Sequence, residues 1–112
     1  MSWRLRDLES GKVYPLTGLL KQIGRSPEAD IIISDPRVSR FHARLERSSS
    51  GWVLVDLESK NGTRVNQELV KEKELEEGDI IQIGLCQLVF EKDPERQPDE
   101  ENTKVDLEKF DQ

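Results

Sequence analysis

Turn signals recur along the first ninety residues at intervals of roughly eight to twelve positions, and short apolar runs fill the gaps. Ser10-Gly11, Thr17-Gly18, Gly24-Arg25-Ser26-Pro27, Ser34-Asp35-Pro36, Asn61-Gly62 and Glu77-Gly78-Asp79 are among them. Glycine and proline interrupt regular structure because one frees the backbone angle φ and the other fixes it. Between the turns, residues 42–47 alternate, with Ala43 and Leu45 on one face and Arg44 and Glu46 on the other. A period of two marks a half-buried strand. Residues 52–57 are apolar on both faces apart from Asp56, which suits an inner strand of a sandwich. No long window carries a 3.6-residue period, so a helical bundle and a βαβ fold both fit poorly. The expectation is an all-β sandwich or barrel. Its strands fall near residues 3–8, 12–16, 19–23, 30–33, 42–47, 52–57, 80–83 and 86–91. Residues 69–75 stay open between helix and edge strand. Asn61-Gly62, the strongest hairpin dipeptide, is expected to close a hairpin.

Charge divides the chain. Residues 1–90 hold 14 acids and 13 bases, whereas residues 91–112 hold 9 acids and 4 bases, so most of the net charge of -6 sits in the last segment. That segment contains Pro94 and Pro98 and reads as an acidic flexible tail from residue 93 to 112, following a domain over residues 1–92. An acidic balance argues against duplex nucleic acid as the ligand, because phosphate neutralisation needs clustered bases. No apolar run is long enough for a membrane helix, and the first residues lack a signal-peptide pattern. Cys86 is the only cysteine and His42 the only histidine, which excludes an internal disulfide and a closed zinc site. A reducing, cytoplasmic setting follows as an expectation. Spacing offers no nucleophile–base pair and no metal set, so no catalytic residue or cofactor is indicated.

The informative polar residues gather in turns. Gly24-Arg25-Ser26, Ser39-Arg40-Phe41-His42 and Ser59-Lys60-Asn61-Gly62-Thr63 would share one end of a sandwich if their loops converge. Together with Asp30-Ile31, Val38, Ala43, Asp56-Leu57-Glu58, Val65-Asn66 and the run Gly78-Asp79-Ile80-Ile81-Gln82-Ile83-Gly84, they form an ordered set. This set resembles the forkhead-associated (FHA) domain over about residues 1–92. The resemblance implies an eleven-stranded β-sandwich that binds phosphothreonine peptides through loops at one end. It implies that Arg25 and Ser39 contact the phosphate, that Arg40 assists, that Ser59 and Lys60 line the phosphothreonine, and that Asn61 holds the peptide backbone. Gly24, His42 and Gly62 would be architectural. The chemistry agrees: phosphothreonine carries about -1.5 to -2 charges, and an arginine fork pairs two of its oxygens at once.

Two positions depart from the family pattern. Lys60 stands where threonine is frequent, and it could face the phosphate or acidic residues of the ligand. Gln67 follows Asn66 where glycine is common, which suggests a differently shaped hairpin. Each site residue also has a plain alternative. Arg25 could pair with Glu28 or Asp30, Ser39 could cap a turn, and Cys86 could be a small buried apolar residue. Within the tail, Thr103 precedes Asp106 by three residues and is a candidate phosphorylation site that could occupy the domain's own site or a neighbour's. The expected partner is a phosphothreonine-containing protein or peptide. The domain is expected to be a monomer unless the tail mediates self-association. A phosphate-independent interaction scaffold of the same fold is the alternative function.

Overall fold

The computed structural model describes residues 2–94. Among them are eleven strands: β1 (Trp3–Asp7), β2 (Val13–Leu16), β3 (Leu20–Gly24), β4 (Ile31–Ile32), β5 (Ala43–Ser48), β6 (Gly51–Asp56), β7 (Thr63–Val65), β8 (Glu68–Val70), β9 (Glu72–Glu74), β10 (Ile80–Ile83) and β11 (Cys86–Lys92). They form a six-stranded sheet in the order β2-β1-β11-β10-β7-β8 and a five-stranded sheet in the order β4-β3-β5-β6-β9. Only β3 and β4 pair in parallel.

Alternation along each strand decides what is buried. Ala43 and Leu45 of β5 and Trp52 and Leu54 of β6 point into one core with Leu5, Ile81, Ile83, Leu88 and Phe90 of the other sheet. Each large apolar side chain so buried stabilises the fold by about 1.5–3 kcal/mol relative to exposure. Trp3 is only partly buried and stacks on Phe90 with ring centroids 4.5 Å apart. Cys86 is half-buried, and burial together with Asp7 pushes its thiol pKa up to about 12. That thiol is a weak nucleophile at neutral pH.

One sequence expectation is corrected here, and one left open is resolved. Residues 69–75 form no helix; they supply β8 and β9, edge strands of different sheets. Asn61-Gly62 closes no hairpin, because β6 and β7 belong to different sheets and the segment crosses between them. The tight hairpin lies instead at Asn66-Gln67, where β7 pairs with β8 and both residues take positive φ, 52° and 74°. This is the conformation of a two-residue primed turn. Gln67 therefore adopts the positive φ that glycine usually supplies.

Strand register sets two ends. Gly24, Ala43 and Asp56 lie at one end of the five-stranded sheet. Thr63 lies at the same end of the other sheet, since its hydroxyl donates to Asp56 at 2.6 Å. β11 starts at this end and runs away from it, so Asp93 lies at the opposite end, where its N–H donates to the Ser2 carbonyl.

Candidate functional site

Three loops meet at the first end: residues 25–30 after β3, residues 33–42 before β5 and residues 57–62 after β6. The first two are joined like paired strands. Arg25 N–H donates to the Ser39 carbonyl and Ser26 N–H to the Arg40 carbonyl, each at 3.0 Å. Gly24 makes this approach possible, because a Cβ there would sit 2.0 Å from the Arg40 carbonyl oxygen.

His42 ties the second loop to the third. It is fully buried. Its Nδ1 accepts the Ser39 N–H at 3.0 Å, and its Nε2 lies 2.8 Å from the Gly62 carbonyl. A carbonyl only accepts and an N–H only donates, so these partners assign the ring proton to Nε2. Both ring nitrogens are thus occupied, as the architectural reading of His42 requires. Two further bonds cross the same gap: Lys60 N–H to Ser39 Oγ at 3.1 Å and Asn61 Nδ2 to the Arg37 carbonyl at 2.7 Å.

Asp56 organises the third loop. Its carboxylate accepts from Ser59 Oγ at 2.6 Å, Thr63 Oγ1 at 2.6 Å and Ser59 N–H at 3.1 Å. Burial pushes this carboxyl up, but the bonds from Ser59 and Thr63 outweigh burial and hold it below its ordinary value. The loop also contains Glu58 at a left-handed φ of 54°, a strained conformation that these contacts hold in place. Gly62 takes φ +86°, and a Cβ on it would meet Leu69 Cδ1 at 2.5 Å. Asp35 anchors the second loop. Backbone N–H groups of Arg37 at 2.9 Å and Leu85 at 3.0 Å bind its carboxylate and lower its pKa.

Between the loops lies an open depression of about 490 Å³, lined by Arg25, Pro36, Arg37, Val38, Ser39, Arg40, Phe41 and Lys60. Four of these carry a positive charge and none a carboxylate. Arg25 donates from Nε to the Val38 carbonyl at 2.9 Å, which leaves its two terminal nitrogens for another partner. Ser39 Oγ accepts from Lys60, which leaves the hydroxyl proton to donate. Such a set of outward donors suits an oxyanion.

The structure brings together Arg25, Ser39, Arg40 and Lys60, as the loop convergence requires. Asn61 is exposed at the rim. Ser59 is different: its hydroxyl donates to Asp56 and accepts from Gly62 N–H at 2.9 Å, so it supports the loop from within and does not line the depression. Sequence reasoning missed Arg37 as a lining cation and Asp56 and Asp35 as the groups that shape the loops. A lone acid ending an apolar strand, as at Asp56, was the available signal. Thr103 lies outside the described residues. Among the described residues no cluster of His, Cys, Asp and Glu could hold a metal ion, and no helix is long and apolar enough to cross a membrane.

The FHA domain family model matches residues 21–84, and the chain belongs to that family. It is 37% identical over 98 residues to the glycogen accumulation regulator GarA of Mycobacterium tuberculosis, covering 88% of this chain and 60% of that protein. It is 46% identical over 85 residues to the oxoglutarate dehydrogenase inhibitor of Corynebacterium jeikeium, covering 76% of this chain and 59% of that protein. The chain thus spans about 60% of the length of these relatives. A structure solved to analyse phosphothreonine-dependent FHA domain interactions superimposes with a TM-score of 0.79 at 34% identity, over 84% of this chain and 99% of that one. EmbR of Mycobacterium tuberculosis in complex with a low-affinity phosphopeptide matches with the same TM-score of 0.79 and 34% identity, over 81% of this chain and 24% of that one.

Proposed function

We propose that this domain binds phosphothreonine-containing peptides and recruits partners that a Ser/Thr kinase has modified. The carrying observation is the four-cation depression built by three loops that hydrogen bonds hold in place. In this reading Arg25 and Ser39 take the phosphate, Arg40 assists, Lys60 adds charge and Asn61 holds the ligand backbone at the rim. Gly24, His42 and Gly62 keep the loops in register, and Ser59 supports them with Asp56. The domain acts as an adaptor without catalysis. Membership of the FHA family and the likeness to phosphothreonine-dependent neighbours support this reading.

Calorimetric titration with a phosphothreonine peptide library tests it, with unphosphorylated and phosphoserine versions as controls. A hydrogen bond to a charged group contributes about 1.5–3 kcal/mol. Arg25→Ala is therefore expected to weaken binding about ten- to a hundredfold. Binding that ignores the phosphate, or that survives Arg25→Ala unchanged, refutes the site.

The reading extends to Thr103 as a phosphorylation site whose product occupies an FHA site. Chain geometry bears on which copy is used. β11 runs from Cys86 to Lys92 and carries the chain about 20 Å away from the loops at about 3.3 Å per residue. Thr103 is nine residues beyond Pro94, a reach of at most about 32 Å when fully extended. The chain's own site and a neighbouring copy's site both lie within that reach. Sedimentation of the Thr103-phosphorylated chain at several concentrations separates the two: association indicates a neighbour's site, and a monomer with weakened binding of external peptide indicates its own. A phosphorylated chain that stays monomeric and binds external peptide undiminished refutes this regulation.

A further inference from the structure

The two sheets turn opposite charges to their outer faces. Side chains alternate along a strand, so the buried Leu5, Ile81, Ile83, Leu88 and Phe90 leave Arg4, Arg6, Gln82, Gln87, Val89 and Glu91 on the outside of the six-stranded sheet. Arg64 of β7 joins them, opposite Gln82. The strands thus present three arginines on this face and one carboxylate. Glu91 accepts from Arg4 at 2.8 Å and from Arg6 at 3.0 Å, and Asp93 beyond it stands 3.6 Å from Arg4. Arg64 is exposed and makes no ion pair among the described residues. The five-stranded sheet has the reverse balance outside, with Glu46, Glu72 and Glu74 around Arg44.

The cationic face is also grooved. Asn66, Gln67, Ile80, Gln82 and Gln87 line a depression of about 260 Å³ beside Arg64. Amide side chains both donate and accept, which suits a polypeptide backbone. Residues 95–112 hold 7 acids and 3 bases, and they follow β11, an inner strand of this same sheet.

We propose that the acidic segment after β11 docks on this outer face, with Asp99-Glu100-Glu101 against Arg6 and Arg64. Strand register supports the pairing. A chain that doubles back at Pro94 in extended form advances about 3.3 Å per residue, as β11 does. Asp99 then comes level with Val89, whose neighbour on β1 is Arg6. Glu101 comes level with Gln87, in the row that runs through Gln82 to Arg64. Arg64 stands two strands over, about 10 Å at about 4.8 Å per strand, a gap that two long side chains span. The same count carries Val105 past the start of β11 toward Leu8 and Leu85, which are 41% and 69% exposed. Exposed ion pairs are individually weak. A tethered segment acts at an effective concentration near millimolar, so weak contacts suffice to hold it. Docking covers a face that otherwise offers its cations to other acidic chains. It needs no phosphate and does not depend on the phosphopeptide reading.

Paramagnetic relaxation on the full chain tests it. A nitroxide is attached at Asn102→Cys in a Cys86→Ala background, and the amide signals of the domain are read by NMR. Loss of signal is expected around Arg6, Arg64, Gln82 and Gln87, with the signals of Arg44, Val53 and Val55 on the other sheet retained. Asp99→Asn/Glu100→Gln/Glu101→Gln changes no residue of the sheet and is expected to restore the lost signals. About 1 M salt, where the Debye length is about 3 Å, is expected to do the same. Arg64→Glu removes the contact from the sheet side. In Arg47→Glu, an exposed cation near the far end of β5, the loss is expected to persist. In a mixture of nitroxide-bearing chains with isotope-labelled chains that lack the nitroxide, the signals are expected to stay. Their loss there assigns the face to a second copy and overturns the proposal. Loss on the five-stranded sheet, loss that survives neutralisation of residues 99–101, or no loss at all overturns it too. Phosphothreonine binding is read separately by calorimetry and stands or falls by itself.

Discussion

Replacing His42 with alanine removes an imidazole that is fully buried and strands two polar groups. The Ser39 N–H loses the Nδ1 acceptor at 3.0 Å, and the Gly62 carbonyl loses the Nε2 donor at 2.8 Å. Each buried group left without a partner costs about 1–3 kcal/mol. The vacated space is large enough for a water molecule that bonds both groups and offsets part of that cost. A net loss of about 2–4 kcal/mol follows. Domains of ordinary stability have about 5–15 kcal/mol in hand, so the variant remains folded in buffer. With a urea slope somewhat above 1 kcal/mol per molar, the midpoint should fall by about 2–3 M. The stranded groups sit on two of the loops around the depression, so under the proposed function phosphopeptide affinity should drop about tenfold or more under conditions where the variant is fully folded. Urea titration followed by tryptophan fluorescence reads the first quantity, since Trp52 is buried, and calorimetry reads the second. A midpoint shift below about 0.5 M with peptide affinity unchanged would refute the claim that this ring joins the loops.

Two further perturbations separate the remaining supports. Gly24→Ala places a Cβ 2.0 Å from the Arg40 carbonyl oxygen, so the zipped loops must part; a stability loss of about 2–4 kcal/mol and lost peptide binding are expected in urea and calorimetric titrations. Gly78→Ala is the comparison, costing about 1 kcal/mol through its φ of +93° with nothing within 4 Å and leaving binding unchanged. The Asp56 carboxyl is held below its ordinary value near 3.8, so its ionised form stabilises the fold above that pH and the contribution disappears as pH falls through the lowered pKa. Asp56→Asn should therefore cost about 1–2 kcal/mol at pH 6, with the gap to the unmodified domain closing as pH falls below the ordinary carboxyl value of 3.8 and through the lowered one in urea titrations. A gap independent of pH would show that ionisation is not what matters there.

Periodicity and turn chemistry are local properties, and the sequence by itself determined what depends on them. Ala43 and Leu45 of β5 and Trp52 and Leu54 of β6 point inward as their alternation requires, because successive side chains on a strand face opposite sides. The ordered motif around Arg25, Ser39 and Asn61 likewise identified the family and most of the depression. Sheet partnership was decided only in three dimensions. Asn61-Gly62 has the composition of a hairpin turn, yet β6 pairs with β5 and β9 while β7 pairs with β8 and β10, so the segment crosses between sheets. Which strands pair depends on contacts between residues far apart in the chain, and no local propensity encodes it. The same reason accounts for Ser59, whose hydroxyl turns toward Asp56 and does not line the depression. It accounts also for Arg37, which reads as an ordinary surface charge until Asn61 holds its carbonyl from a loop twenty-four residues away. Sequence could supply the donors of the site, but only the stacking of two sheets could aim them at one place.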